Sequence, residues 1–446
     1  MDTTRMDAVS AYGIAEDTTP HLDSLAAQGL LYRWAQAPAP WTLPSHATLF
    51  TSLGPERHGV GVAGHMALAE GHSTLAAQLR AAGYETIGFS ENPLVMAGTG
   101  LAAGFEHFEG ESDASMLRVR EAELRFDVVL AVRRWLEQRS DERPFFLFVN
   151  LFDPHDPYEL QEHTELPPGV APSEAEVLGR GAPSQAVAEF AGICDRIPQR
   201  PELEVLRGLY LGEVRSADEK LGRIHRLLEK AGGPLLTVVT ADHGEHLGEH
   251  RLLGHEFSLR GEVLRVPLVV HGLEGVAPGE IDAPVGLRDI APSIARWTGV
   301  EAPEAWSGRT LPTTSTEVTE GPALRAFYAD APLVAPEGFS VDHASQTERR
   351  RRGCREQDRV FGEILSIVRF PFKLIRYAEA APQLYDLRWD VREQSDVSPY
   401  HPERVEALDA ELALWGQELE AAAAGQLAEP ASAETLEALR ALGYVE

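Results

Sequence analysis

The residues with the clearest chemical potential are Asp242-His243-Gly244-Glu245, continuing to Glu249-His250 and Gly254-His255. An apolar run ends at Thr240. A carboxylate and an imidazole then follow side by side before a glycine. An oxygen ligand beside an imidazole suits Zn, Mn or a similar divalent ion, and the same residues also suit a plain polar loop. The further histidines His246, His250 and His255 strengthen the metal reading. Of these, His246 and His250 read as supporting or surface groups and His255 as an active-site group. A second run, Asn150-Leu151-Phe152-Asp153-Pro154-His155-Asp156-Pro157-Tyr158, delivers His155 between two prolines. Such a histidine can be a general acid for a leaving group, or a turn residue that only bonds backbone. In Trp41-Thr42-Leu43-Pro44-Ser45-His46 a proline-pinned turn presents a hydroxyl and runs into an apolar stretch that reads as a helix. Ser45 can cap that helix. Its positive end would then face the turn, a place to hold an anion beside a nucleophile. Asp2 is a further carboxylate that composition alone gives no role.

The elements that must position these groups alternate in type. The runs 84–89, 145–150, 235–240 and 266–270 are apolar on both faces, as buried parallel strands are. Helical patterns separate them at 19–28, 73–82, 120–138, 202–230 and 289–298. This alternation predicts an α/β fold with a parallel sheet covered by helices on both sides. Ligands in such sheets bind beyond the carboxyl ends of the strands, where the polar clusters lie. After residue 315 the pattern changes, predicting a catalytic region over 1–315 and a smaller subdomain over 316–446. Short antiparallel strands are expected there at 360–369, 372–377 and 383–387, then helices at 402–422 and 433–442. The run Arg349-Arg350-Arg351-Arg352 reads as a solvated loop or as an anion-gathering lid.

The chain has 446 residues, 43% of them hydrophobic, enough for a large core. A net charge of −29 disfavours nucleic acid and anionic membrane as partners. Cys194 and Cys354 form no disulfide framework and no metal-ligand spacing. The longest apolar run, 145–152, is broken by Asn150 and too short to cross a membrane. The lysines are Lys220, Lys230 and Lys373, and all fall outside the polar motifs.

In order and spacing, the segments Asp2 to Gly13, Thr19 to Gly29, Thr42 to Gly59, Asp153 to Tyr158 and Asp242 to His255 resemble the sulfatase branch of the alkaline phosphatase superfamily. Leu384-Tyr385-Asp386-Leu387 and Leu439-Arg440-Ala441-Leu442-Gly443-Tyr444 resemble its C-terminal signals. The resemblance implies an alkaline-phosphatase-like, mostly parallel sheet flanked by helices, with a smaller C-terminal α+β subdomain. It implies that Asp2, Asp242 and His243 hold a divalent ion (Ca, Mn, Zn or Mg) and that Thr42 sits on it as the nucleophile. The Asp-His pair at 242–243 is similar to phosphonate monoester hydrolases and phosphoethanolamine transferases.

The departures from the family shape the reading. Thr42 stands where the family has a Cys or Ser matured to formylglycine, Thr3 where some members have a second acid, and His46 where they have Arg. A formylglycine hydrate uses one hydroxyl to attack and the other to expel the product. Threonine has one hydroxyl, so its covalent adduct must be attacked by water or another acceptor, which suits phosphorus better than sulfur. The absence of lysine from the motifs points the same way. The expectation is metal-assisted cleavage of a phosphate or phosphonate ester of a small molecule, lipid or saccharide. In it Thr42 attacks, His155 protonates the leaving oxygen, and His255 with His46 binds the anion or activates water. Asn92, in Ser90-Glu91-Asn92-Pro93, donates to a phosphoryl oxygen or serves only as a turn residue. A sulfuric ester hydrolase without formylglycine and a non-catalytic binding relative are the alternatives. In the family the first metal Asp follows the first core strand, so that strand is expected to be missing, with Asp2 loosely held. A signal peptide or anchor could lie upstream, which leaves localisation open.

Overall fold

The computed structural model describes residues 1–110, 126–140, 142–179, 200–255, 257–315, 322–329 and 362–425. The arginine run at 349–352, both cysteines and the segment 433–442, where a helix is expected, lie outside them. Two sheets carry the core. One has the order Gly279–Ile281, Leu30–Tyr32, Leu268–His271, Thr237–Thr240. The other runs His107–Gly110, Glu85–Ser90, Phe145–Asn150 and is parallel throughout. Leu268–His271 departs from the parallel expectation by running antiparallel to both of its neighbours. Apolarity on both faces reports burial and not direction, so the pattern could not reveal this. Pro267, which lacks a donor, also splits the predicted 266–270 strand. Arg265–Val266 pairs instead with Ala35–Gln36 in a small separate sheet.

The strands Phe145–Asn150 and Thr237–Thr240 each have one paired neighbour among the described residues. Their other edges line a cavity of about 750 Å³, walled also by Leu221, Ile224 and Leu228. At its mouth Met1 N donates to Thr240 O at 3.0 Å and Asp2 N donates to Leu151 O at 2.8 Å. Asp2 is therefore not frayed: it is fully buried and joins the carboxyl ends of both strands.

The helices fall close to the predicted segments because their ends are marked, except that the one expected from 120 begins at Val128. Pro20–Ala27 begins with proline at its first position. Leu75–Ala81 is capped by the Thr74 side chain, and Val128–Gln138 by Asp127, each accepting a backbone N–H. The long helix Arg200–Ala231 ties the molecule together. Its Asp218 carboxylate accepts His21 N at 2.9 Å and Leu22 N at 2.8 Å, and so caps the Pro20–Ala27 helix from outside. Its Tyr210 hydroxyl donates to Thr3 O and accepts Arg5 N, both at 2.9 Å, which fixes the backbone beyond Asp2.

In the C-terminal region an antiparallel sheet runs Leu324–Tyr328, Ile364–Arg369, Phe372–Tyr377, Gln383–Asp386. The first of these strands was not predicted. The helix Pro402–Gly425 covers it, burying Leu408, Leu412, Trp415 and Leu419 on one stripe against Phe327, Ile367 and Leu374. Each such side chain contributes about 1.5–3 kcal/mol of burial.

Candidate active site and metal centre

Three strand ends converge on one point. Glu85–Ser90 leads into Glu91-Asn92, Phe145–Asn150 ends on Asn150 itself, and Thr237–Thr240 leads into Asp242-His243. Asp2 lies among them. Gly244 is required at the turn after His243, because a Cβ there would lie 2.1 Å from the backbone oxygen of Glu262.

Asp2, Asp242 and His243 bring one ligand atom each within 4.8 Å of one another, and all three are buried. Asp242 Oδ1 accepts His243 N at 3.0 Å and Thr3 N at 3.2 Å, which leaves Oδ2 turned toward the cluster. His243 Nδ1 donates to Gly244 O at 3.0 Å, so its lone pair is on Nε2. Asp2 Oδ2 accepts from Asn92 Nδ2. The remaining atoms, Asp2 Oδ1, Asp242 Oδ2 and His243 Nε2, are buried and have no hydrogen-bond partner among the described residues. Unpaired buried polar atoms are costly. Three of them aimed together, two carboxylate oxygens and a neutral imidazole nitrogen, fit a divalent cation.

The electrostatics agree. Burial and the nearby Asp242 charge push Asp2 up to about 6. Burial also works against ionised Asp242, but His243 and His46 outweigh it and hold Asp242 below its ordinary value. Burial lowers His243 to about 4, keeping it neutral as a ligand must be.

Thr42 is fully buried at the first position of the helix Thr42–Thr51. The helix thus starts earlier than a Ser45 cap would allow. Ser45 lies inside the first turn and donates to Ala39 O at 3.1 Å, and the cap position is Trp41. Pro44 permits the early start, since its missing N–H would have no helical partner there. Asn92 Nδ2 reaches both Asp2 Oδ2 and, at 3.4 Å, Thr42 Oγ1, while Asn92 Oδ1 accepts Leu94 N at 2.8 Å. Asn92 is therefore at once the turn residue and a donor into the site. His46 Nδ1 donates to Thr42 O at 3.0 Å and lies 3.6 Å from Asp242 Oδ2. Its ring is buried against Phe50 and Phe148, and burial lowers its pKa.

His155 and His255 face each other with ring centroids 5.3 Å apart, and His255 lies 4.5 Å from His243. Burial would lower His155, but Asp156, Asp2 and Glu245 raise it. Burial, then the neighbouring His155, drops His255 to about 3. All the residues expected to act together, Asp2, Thr42, His46, Asn92, His155, Asp242, His243 and His255, thus meet in one buried region.

Sequence reasoning missed several others. Asn150 Nδ2 lies 3.5 Å from Asp2 Oδ2 and 3.4 Å from His46 Nε2. Glu245 is fully buried behind His255, both carboxylate oxygens 3.3 Å from its Nδ1. Lys220, though outside every motif in sequence, sets its Nζ 2.8 Å from Glu91 Oε2 and 2.6 Å from Asp153 Oδ2. A polar residue ending or following an apolar strand was the available signal for Asn150, Glu91 and Glu245. Nothing in the sequence around Lys220 marks it.

The sulfatase family model matches residues 1–300. Among curated proteins, the chain is similar to the multifunctional alkaline phosphatase superfamily protein PehA of Trinickia caryophylli, with 28% identity over 38% of this chain and 37% of the relative. It is also similar to the uncharacterized sulfatase YidJ of Escherichia coli K12, with 24% identity over 70% of this chain and 69% of the relative. The chain thus spans from about a third to about two thirds of the length of these relatives. Among solved structures it superposes on the phosphonate monoester hydrolase of Agrobacterium radiobacter with a TM-score of 0.69 and 22% identity, covering 94% of each chain, a likeness of fold.

Proposed function

Taking as premise that the chain belongs to the sulfatase family, we propose that it is a divalent-metal-dependent hydrolase that cleaves a phosphate or phosphonate ester through a covalent intermediate on Thr42. The observation that carries this reading is the Asn92 bridge. One amide reaches both Thr42 Oγ1 and an Asp2 oxygen of the three-residue cluster, so the hydroxyl and the cation position are built as a unit. When bound at Asp2, Asp242 and His243, a divalent cation supplies positive charge that favours ionisation of a nearby hydroxyl and offsets charge on the transferring group.

The chain's own residues do the rest. Thr42 Oγ1, oriented by Asn92, loses its proton to solvent and forms the bond to phosphorus as the bond to the leaving oxygen breaks. His155, which Asp156, Asp2 and Glu245 raise against its burial, gives that oxygen its proton. Water then attacks phosphorus, the Thr42 oxygen leaves and takes up the proton that the water sheds, and two in-line displacements retain configuration. His46 acts as a positioning residue: tied to Thr42 O and set against Asp242, it fixes the nucleophile's helix relative to a metal ligand. Neutral buried imidazoles and amides in place of lysines suit a covalent phospho-threonine better than a sulfo-threonine. The similarity to a protein described as a sulfatase favours sulfate esters as the second reading.

The test is an assay of a phosphodiester, a phosphonate monoester and an aryl sulfate with added divalent metals, together with acid-quench mass spectrometry of the Thr42 peptide. A phosphorus ester should be turned over fastest, a phosphoryl adduct should appear on Thr42, and Thr42→Ala should abolish turnover. Near-normal activity in Thr42→Ala would refute the mechanism, and preference for the aryl sulfate would refute the substrate class.

A further inference from the structure

A set of unpaired hydrogen-bond donors lies away from the strand ends. They surround a small cavity of about 20 Å³ where the strands Ala35–Gln36 and Val285–Gly286 meet the C-terminal sheet and its covering helix. Gln36, Glu56, Arg288, Arg325 and Trp415 are among its walls. Leu324, Arg288 and the Gln36 carbonyl all come within 3.8 Å of where a Gly286 Cβ would stand, so the three segments converge there. The space suits one occupant the size of a water or a halide.

The walls offer that occupant donors. Gln36 is only 8% exposed, and its Nε2 is buried with no hydrogen-bond partner among the described residues. Arg325 Nε is buried and unpartnered in the same way. The Arg325 guanidinium stands 6.0 Å from the centre of the Trp415 ring and forms no ion pair among the described residues. Arg288 Nη2 donates to the neutral Ala323 O at 3.1 Å, and Arg288 likewise pairs with no carboxylate among the described residues. Glu56 is the carboxylate of the lining, and its Oε2 accepts Trp415 Nε1 at 3.0 Å. Asp289, next in sequence to Arg288, accepts Gly286 N and Arg309 N instead.

The charges leave one place to fill. Two guanidinium groups face one carboxylate, so a single monovalent anion brings the lining to neutrality. A water would satisfy the donors but not the charge, and half-buried charge without a partner is costly. Guanidinium groups are weakly hydrated and give up their water readily to an anion. We infer that Gln36, Arg288 and Arg325 form a binding site for one small monovalent anion, of the size of chloride. The anion ties Arg325, on the strand Leu324–Tyr328, to Gln36 and Arg288 in the sheet next to it. Thr48, on the helix that begins at Thr42, also borders the cavity, so the anion steadies that helix as well. Neither the metal cluster nor the hydrolase reading enters the inference.

The test is chloride binding to the full chain, followed by chloride NMR line width and by thermal melts. Gluconate, too large for the cavity, holds the ionic strength constant. Chloride should broaden the line and raise the melting midpoint saturably, and bromide should compete with it. Crystals grown in bromide should show anomalous density between Gln36 and Arg325. Arg325→Gln and Gln36→Leu should each weaken chloride about tenfold. Melts in gluconate establish that each variant folds, and the bromide position in the wild-type crystal decides the question without any variant. No difference between chloride and gluconate, the result expected if water alone fills the cavity, would overturn the inference. So would a chloride effect kept at full strength in both variants, or bromide density found only elsewhere.

Discussion

Replacing Lys220 by Met tests whether a residue remote in sequence holds the site together. Its ammonium lies 2.8 Å from Glu91 Oε2 and 2.6 Å from Asp153 Oδ2. The lysine side chain is 27% exposed, and the carboxylates 9% and 16%. Breaking a fully buried ion pair costs about 3–5 kcal/mol, and an exposed pair is worth about 0–1 kcal/mol. The partial exposure of Lys220 places the expected loss between them, at about 2–3 kcal/mol of unfolding free energy at neutral pH. The remaining carboxylates would repel each other, held near by the bond from Phe152 N to Glu91 Oε2 at 3.1 Å. Because Glu91 precedes Asn92 and Asp153 lies two residues before His155, turnover should fall as well. The sign with pH follows from which group titrates. In the native chain Lys220 is raised by Asp153 and Glu91 against its burial, so its contribution is complete below the unfolded lysine value of about 10.4 and fades only in alkali. Burial already raises Glu91, and without the lysine charge it binds a proton more readily folded than unfolded, so the penalty should shrink as pH falls toward 5. Equilibrium urea unfolding at pH 7.5 and 5, with Lys220→Arg as the charge-conserving control, measures this. A loss under about 0.5 kcal/mol at pH 7.5, or an equal loss at both pH values, would refute the reasoning.

Asp218→Ala removes the acceptor of His21 N and Leu22 N, and should cost about 1–3 kcal/mol in urea unfolding, with Asp218→Asn recovering part. Gly244→Ala forces a Cβ to within 2.1 Å of Glu262 O, so the turn must shift. The expected loss is about 1–3 kcal/mol, with weakened Mn2+ affinity measured by calorimetry because His243 moves with the turn. Divalent cation at about one hundred times its dissociation constant should raise the unfolding free energy by about 2.7 kcal/mol, and Asp242→Asn should lose that gain in thermal denaturation.

Much of the fold was legible because local physics wrote it. Apolar runs marked the strands at 84–89, 145–150 and 235–240, and Thr74 caps a helix that lies within two residues of expectation, whereas Asp127 starts its helix eight residues after the expected start at 120. Strand direction was not legible for Leu268–His271, since burial on both faces is the same for either direction. The site was legible where chemistry sits at strand ends, as at Asn92, His155 and the Asp242-His243 pair. What the sequence determined by itself is therefore the alternation of elements, the strand ends at which the polar clusters lie, and a threonine at position 42. Only the tertiary structure decided that Asp2 is locked between Leu151 and Asn92, that Ser45 is no cap, and that Lys220 belongs to the site. It also decided that Asp156 and Glu245 share one buried space with His155 and His255. The reason is separation along the chain. Lys220 lies 129 residues from Glu91, and no local pattern encodes a contact made by the packing of a long helix against two loops.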